Sequence, residues 1–210
     1  MPEAEPRPKR PRTLRRDRVI NTAVALADAD GLAALTMRSL AAALDVKPMS
    51  LYNHVQGKED LLDGMVDAVF ARIDRPDPQG HWRSEMRARS VSVRAVLARH
   101  PWALALMDSR SSPGPATLAH HDAVAGVLLN GGFSPALAAR AYTVVDSYVY
   151  GFVLQEAAFP DAEPEAGEAI GDYPYLAALA AGHLMRPDYA FADDFEPGLD
   201  LVLDGIEALV

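Results

Sequence analysis

From Arg15 onward the apolar residues of this chain return every three or four positions, segment after segment, and no convincing run alternates apolar with polar. That spacing puts them on one stripe of a helix, whereas a half-buried strand needs a period of two. The pattern predicts an all-α fold. Val19, Ile20, Ala23, Val24 and Ala27 mark a first helix over about 15–30, with Asp17 suited to its first turn and Gly31 to its stop. Thr36 is a preferred N-cap for a second helix ending near Leu44, and Leu35 and Leu40 stand at the positions of a hydrophobic staple. Pro48 suits the first position of a third helix, about 48–54, where no amide is needed. A fourth runs from Lys58 to about Asp74, where "DRPDPQG" breaks it. Further helices are expected at about 82–99, 101–108, 115–131, 135–157 and 195–209, with a weaker one at 173–184. Residues 1–13 hold four prolines and no periodicity and read as a flexible arm; the acidic "FPDAEPEAGEAIGDYP" reads as a mobile loop. This divides the chain into an arm (1–13), a head (14–75) and a body (76–210).

Composition narrows the function. A chain of 210 residues is long enough for one large or two small cores, and its 50% hydrophobic content fits a folded protein. The absence of Cys removes disulfides, zinc–cysteine sites and a thiol nucleophile. No apolar run approaches the roughly 18–20 residues of a membrane span, and the N-terminus lacks the apolar segment of a secretory signal, so a cytoplasmic protein is expected. Abundant Ala and Arg with scarce Lys suggest a GC-rich bacterial genome. Charge is uneven: residues 1–60 carry 10 basic and 8 acidic groups, and residues 61–210 carry 10 and 21. A net of +2 thus sits on a net of −11, which suggests an anion-binding head on an acidic body.

The stretch "LDVKPMSLYNHVQGKEDLL" carries two of the three lysines. A helix as short as 48–54 is unstable alone and must be held by packing, with Val46 and Leu51 against Leu40 and Leu44. Lys47, Met49, Ser50, Tyr52, Asn53 and His54 are left outside. In a helix–turn–helix one helix braces while the N-terminal residues of the next meet base edges in the major groove. Thr36 and Arg38 then face the DNA backbone, and Tyr52, His54 and Lys58 suit phosphate. Arg10, Arg12, Arg15 and Arg16 add local attraction. The competing reading is a helical corner with a solvated polar face.

The segment "LTMRSLAAALDVKPMSLYNHVQGKEDLLDGMVD" resembles the DNA-binding domain of the TetR family of bacterial regulators. The resemblance rests on Thr36, Leu40–Leu44, the turn Asp45–Val46, Leu51-Tyr52-Asn53-His54-Val55 and Lys58-Glu59-Asp60-Leu61-Leu62, and spans about 15–75. The family's usual turn glycine is Asp45 here, a residue that tolerates positive φ better than most. Pro48 and Met49 at the reading positions offer few base hydrogen bonds, so specificity leans on Lys47, Ser50 and apolar contact with thymine methyls. The resemblance implies a homodimer on a palindromic operator in double-stranded DNA, with a body that binds a small-molecule effector, most commonly to end repression. "VRAVLARHPWALALM", "LLNGGFSPALAARAYTVVDSYVYGFVLQE" and "FEPGLDLVLDGIEAL" are similar to the tetracycline-repressor type of body. In that type the helix at 135–157 and the last helix form a four-helix bundle with their mates. Ala138, Ala141, Val145, Tyr148 and Phe152 suit either that face or ordinary core.

Candidate pocket residues are Trp102, Leu106, Met107, His120, His121, Tyr142, Asp146 and Tyr150, although Trp and Met at helical spacing more often belong to a core. Adjacent histidines on a helix diverge, so His120-His121 is a poor chelate, and His100 before Pro101 suits a helix end. The alignment that the resemblance implies puts Leu106 where tetracycline-binding members carry a magnesium-ligating histidine. No metal or cofactor is expected. No nucleophile elbow, P-loop or dinucleotide fingerprint supports an enzyme. The rival reading is a sensor module without tight, specific DNA binding.

Overall fold

The computed structural model describes residues 14–107, 112–158 and 172–210; the arm with Arg10 and Arg12 and nearly all of the acidic stretch lie outside them. Every regular element among the described residues is helical. Helix α1 (Arg16–Asp30) buries the five residues that its periodicity marks and ends at Gly31, whose φ of 77° only glycine adopts without strain. One 3₁₀ turn (Leu32–Ala34) leads to α2 (Met37–Leu44). Thr36 caps α2 as expected, and its partner in the capping box is Ser39: Thr36 Oγ1 accepts from Ser39 N at 3.0 Å and Ser39 Oγ accepts from Thr36 N at 2.9 Å.

Asp45 holds φ 56° and ψ 47°, the one positive-φ residue other than glycine among those described. Val46 N donates to Ala41 O at 3.0 Å and Asp45 N to Ala42 O at 3.1 Å, so the turn closes as a Schellman motif with aspartate in glycine's place. Helix α3 is shorter than its sequence suggests. Regular helix covers Pro48–Leu51, and Tyr52–His54 continue as turns. Only Leu51 and Val55, 0% and 2% exposed, anchor it to the core, too little to prolong a helix.

Helix α4 (Lys58–Phe70) stops before the expected Asp74. Tight turns, with Arg72 N on Val69 O and Ile73 N on Phe70 O, fold Ile73 back into the core. The body comprises α5 (Trp82–Arg99), α6 (Pro101–Met107), α7 (Pro115–Asn130), α8 (Pro135–Ala158), α9 (Pro174–Leu179, prolonged by a π turn to Leu184) and α10 (Phe195–Glu207). Helices α5, α7, α8 and α10 pack on one another, and α4 lies against α1 on one side and α6 and α7 on the other. Val93, Leu97, Val124, Val127, Val149, Phe195, Leu199 and Leu203 are at most 1% exposed, each worth about 1.5–3 kcal/mol of burial.

Ala138, Ala141, Val145 and Phe152 are buried inside this chain, and Tyr148 donates to Phe195 O at 2.7 Å. The stripe weighed as a dimer face is therefore the chain's own core. It is Val144 and Leu154 of α8, and Leu201 of α10, that stay exposed. No described helix is long and apolar enough to cross a membrane.

Candidate functional site

The first site is the edge built by α2, α3 and the start of α4. Lys47, Pro48, Met49, Tyr52, Asn53 and Lys58 are exposed, Met49 by 75%, and Ser50 and His54 are half-buried. Thr36 and Arg38 are exposed at the start of α2. No acidic residue occurs between Val46 and Lys58. Arg15 is exposed beside Asp17 at 3.2 Å. Arg16 has another task. It grips Asp60 at 2.6 and 2.9 Å and donates to His54 O at 2.7 Å, while Asp60 accepts from Gln56 N at 2.7 Å. Arg16 thus bolts the end of this segment to α1 and α4. The same hydrogen bonds hold the Asp60 carboxyl below its ordinary range.

The second site is a cavity of about 340 Å³ where head and body meet, at the lower end of the roughly 300–1,000 Å³ of small-molecule pockets. Its walls include Val66 and Phe70 of α4, Met107 of α6, Thr117 and His121 of α7, and Asp146 and Tyr150 of α8. Four of the residues picked from sequence, Met107, His121, Asp146 and Tyr150, meet here. Tyr142 stands behind the wall, hydrogen-bonded to His121 Nδ1. Leu106 is buried but does not line the cavity. Trp102 points elsewhere, its indole N–H donating to Asp28 of α1 at 2.6 Å. His100 joins that junction: Asp28 lies 2.7 Å from Nδ1 and Arg72 3.0 Å from Nε2.

Behind the cavity lies Arg89, which sequence reasoning missed. Its side chain is fully buried, with Nη1 on Asp146, Nε 3.0 Å from His120 Nε2 and the guanidinium carbon 5.1 Å from the Tyr142 ring centroid. Burial lowers its pKa, but the Asp146 charge and hydrogen bond, together with the Tyr142 and Tyr150 phenols, outweigh this, so it stays charged. Tyr150 donates to the other Asp146 oxygen at 3.2 Å. Burial, then the Arg89 charge, pushes His120 down to about 3, and burial lowers His121 and raises the Tyr142 and Tyr150 phenols. A signal for Arg89 existed: it sits on the α5 stripe with Met86, Val93 and Val96, where an arginine announces a buried partner. The α4 wall had no such signal, since Val66 and Phe70 read as core.

Among the described residues no group of three His, Asp or Glu stands together as a metal site.

Helix α4 also clasps α7. Asp67 accepts from Thr117 N at 2.8 Å and Thr117 Oγ1 at 3.0 Å, capping the body helix from the head. A Cβ at Gly114 would lie 2.3 Å from Asp67 Cγ, so glycine is what admits the carboxylate.

A helix–turn–helix head joined by a shared helix to a cavity-bearing helical body defines a class: a DNA-binding regulator that answers to a small molecule. Comparison with known proteins identifies the family. The model described as "Bacterial regulatory proteins, tetR family" matches residues 19–65, and "Tetracyclin repressor-like, C-terminal domain" matches 75–210. The HTH-type transcriptional repressor DrrR1 of Streptomyces coeruleorubidus is 34% identical, over 100% of this chain and 82% of its own length. An HTH-type transcriptional regulator of Saccharopolyspora erythraea is 37% identical, over 93% and 85%. The Streptomyces coelicolor TetR family protein ActR, solved in complex with (S)-DNPA, superposes with a TM-score of 0.82 at 28% identity, over 94% of this chain and 98% of ActR. The chain belongs to the TetR family and is a ligand-responsive, DNA-binding transcriptional repressor.

Proposed function

We propose that residues 14–75 form the DNA-reading head and 76–210 the effector and dimerisation body of a homodimer that binds a palindromic operator in the cytoplasm. Lys47, Pro48, Met49, Ser50 and Asn53 face base edges. Arg15, Thr36, Arg38, Tyr52, His54 and Lys58 face phosphates, whose neutralisation makes binding salt-dependent. The partner subunit packs on the exposed Val144, Leu154 and Leu201 of α8 and α10. ActR, complexed with (S)-DNPA, supports a cavity for an organic small molecule. Met107, His121, Tyr142, Asp146 and Tyr150 meet that molecule directly or through one neighbour, whereas Trp102 and Leu106 shape the surrounding core.

The observation that carries the reading is that α4 serves both sites. Its first residues support the reading edge, and its Val66 and Phe70 wall the cavity. An effector that prefers a displaced α4 draws the heads away from operator spacing and releases DNA, by as much as its preference for that state. The test is selection of fragments from sheared genomic DNA under excess competitor. The expected result is one discrete palindrome bound at least ~10³-fold over random DNA, with a steep salt slope. No enriched fragment from folded dimer sinks the reading.

A further inference from the structure

His100 is the corner between α5 and α6. Its N–H closes α5 on Val96 O and Leu97 O, and its carbonyl accepts from Ala103 N at 2.8 Å to start α6. The backbone thus pins the residue, and its side chain is 12% exposed. Three elements meet on the ring. Arg72, in the turn that ends α4, lies 3.0 Å from Nε2, and Asp28 of α1 lies 2.7 Å from Nδ1. A guanidinium only donates, so Nε2 accepts and the ring hydrogen sits on Nδ1, which donates to Asp28. The same Asp28 oxygen accepts from Trp102 of α6 at 2.6 Å, and Arg72 Nη2 donates to Asn21 of α1 at 3.3 Å. The charged groups facing the ring are Asp28 from α1 and Arg72 from α4. The neighbouring Arg99 turns its Nε to Ala95 O, and α6 carries no charged side chain. Only this neutral tautomer satisfies both neighbours. A second proton, on Nε2, sets two donors and two positive charges against each other where a bond now stands, and strengthens the pair with Asp28.

We infer that this junction is a proton-responsive latch: the neutral His100 ring ties the end of α4 to the α5–α6 corner through Arg72, and a protonated ring keeps Asp28 but expels Arg72, which frees α4 and lowers operator affinity. The inference rests on the reading that a displaced α4 draws the heads off the operator. It adds a second input beside the effector, entering outside the cavity, whose walls include none of Asp28, Arg72, His100 and Trp102. Imidazole is the side chain whose charge ordinarily changes between about pH 5 and 8, which makes it the group to read mild acidification.

The test uses the full-length protein and the palindrome recovered from genomic DNA, at constant ionic strength. Between about pH 8 and about pH 5.5 the parent is expected to lose at least about tenfold more operator affinity than His100→Gln, the worth of one hydrogen bond to a charged group. Glutamine accepts from Arg72 but takes no proton, and every other histidine is present in both proteins. Arg72→Ala, at an exposed position, is expected to show at about pH 8 the weakened binding that the parent reaches at about pH 5.5, with little further loss. That arm decides the matter if His100→Gln does not fold. Trp102, whose ring centroid lies 6.1 Å from that of His100, reports the latch directly, through a fluorescence step with pH that His100→Gln lacks. Equal pH dependence of the parent and His100→Gln, full parental affinity of Arg72→Ala at about pH 8, or no difference between parent and His100→Gln in the Trp102 titration each overturns the inference. Operator selection on the parent separates the two readings. A discrete palindrome bound without this pH difference removes the latch alone, and no palindrome from folded dimer removes the regulator reading and the latch with it.

Discussion

The head and the body bury opposite things. Among the described residues, the head's fully buried side chains are apolar: Val19, Ala23, Leu40, Leu51, Leu61 and Met65 make a small core, and the polar groups face out along the reading edge. The buried polar residues, Arg89, Ser90, Thr117 and His120, all belong to α5 and α7 of the body. The difference follows the partner. DNA is read from outside, so the head needs only a stiff frame beneath exposed donors. A small molecule is read from inside, so the body must keep polar groups out of water and hold them by mutual contacts.

The largest expected effect breaks the body's half of this contrast. Arg89→Ala leaves Asp146 a carboxylate without its cation and is expected to cost about 3–5 kcal/mol in urea unfolding. The second sharpens it through pH. The His120 value of about 3 in the folded chain lies below its ordinary 6.5, so between these values the unfolded chain binds the extra proton. Stability is full above pH 6.5 and falls as pH drops towards 3, by on the order of 2 kcal/mol between pH 6.5 and 5. His120→Phe should flatten that slope, and an unchanged slope would place the titration elsewhere. Third, the clasp between the regions is tested by Asp67→Ala. Loss of the α7 cap is expected to lower stability by about 1–2 kcal/mol and to blunt ligand-driven release while leaving operator affinity in place.

The last two belong to the head. Tyr52→Ala is expected to weaken operator binding about 3–10-fold, the worth of one hydrogen bond, with fold and dimer intact. Unchanged affinity in a mobility-shift titration removes its phosphate role. Asp45→Gly relieves the left-handed turn and is expected to stabilise by about 0.5–1 kcal/mol, raising Tm by roughly 1–4 °C. A drop in Tm would mean that the aspartate side chain supports the turn in a way its backbone does not reveal.

Legibility in the sequence differed in the same way. The reading edge was visible from Thr36 to Lys58 because its determinants are local: a cap, a turn residue, an N1 proline and one buried leucine. Two features there had no local signal. Nothing within a few residues says that α3 stops at Leu51, or that Arg16 faces Asp60 across 44 positions. In the body, Met107, His121, Asp146 and Tyr150 were found as chemically suitable residues, but the same suitability drew in Trp102, which serves Asp28 in the head.

By itself the sequence determined the helices and most of their ends, because a period of 3.6, a capping hydroxyl and a helix-stopping glycine act over one or two turns. Tertiary structure alone decided that Arg89 meets His120 and Asp146, 31 and 57 positions away, and that Asp67 caps Thr117, 50 positions away. Those pairings arise from packing. The cost of burying a charge depends on every group around it, and no local pattern carries that information.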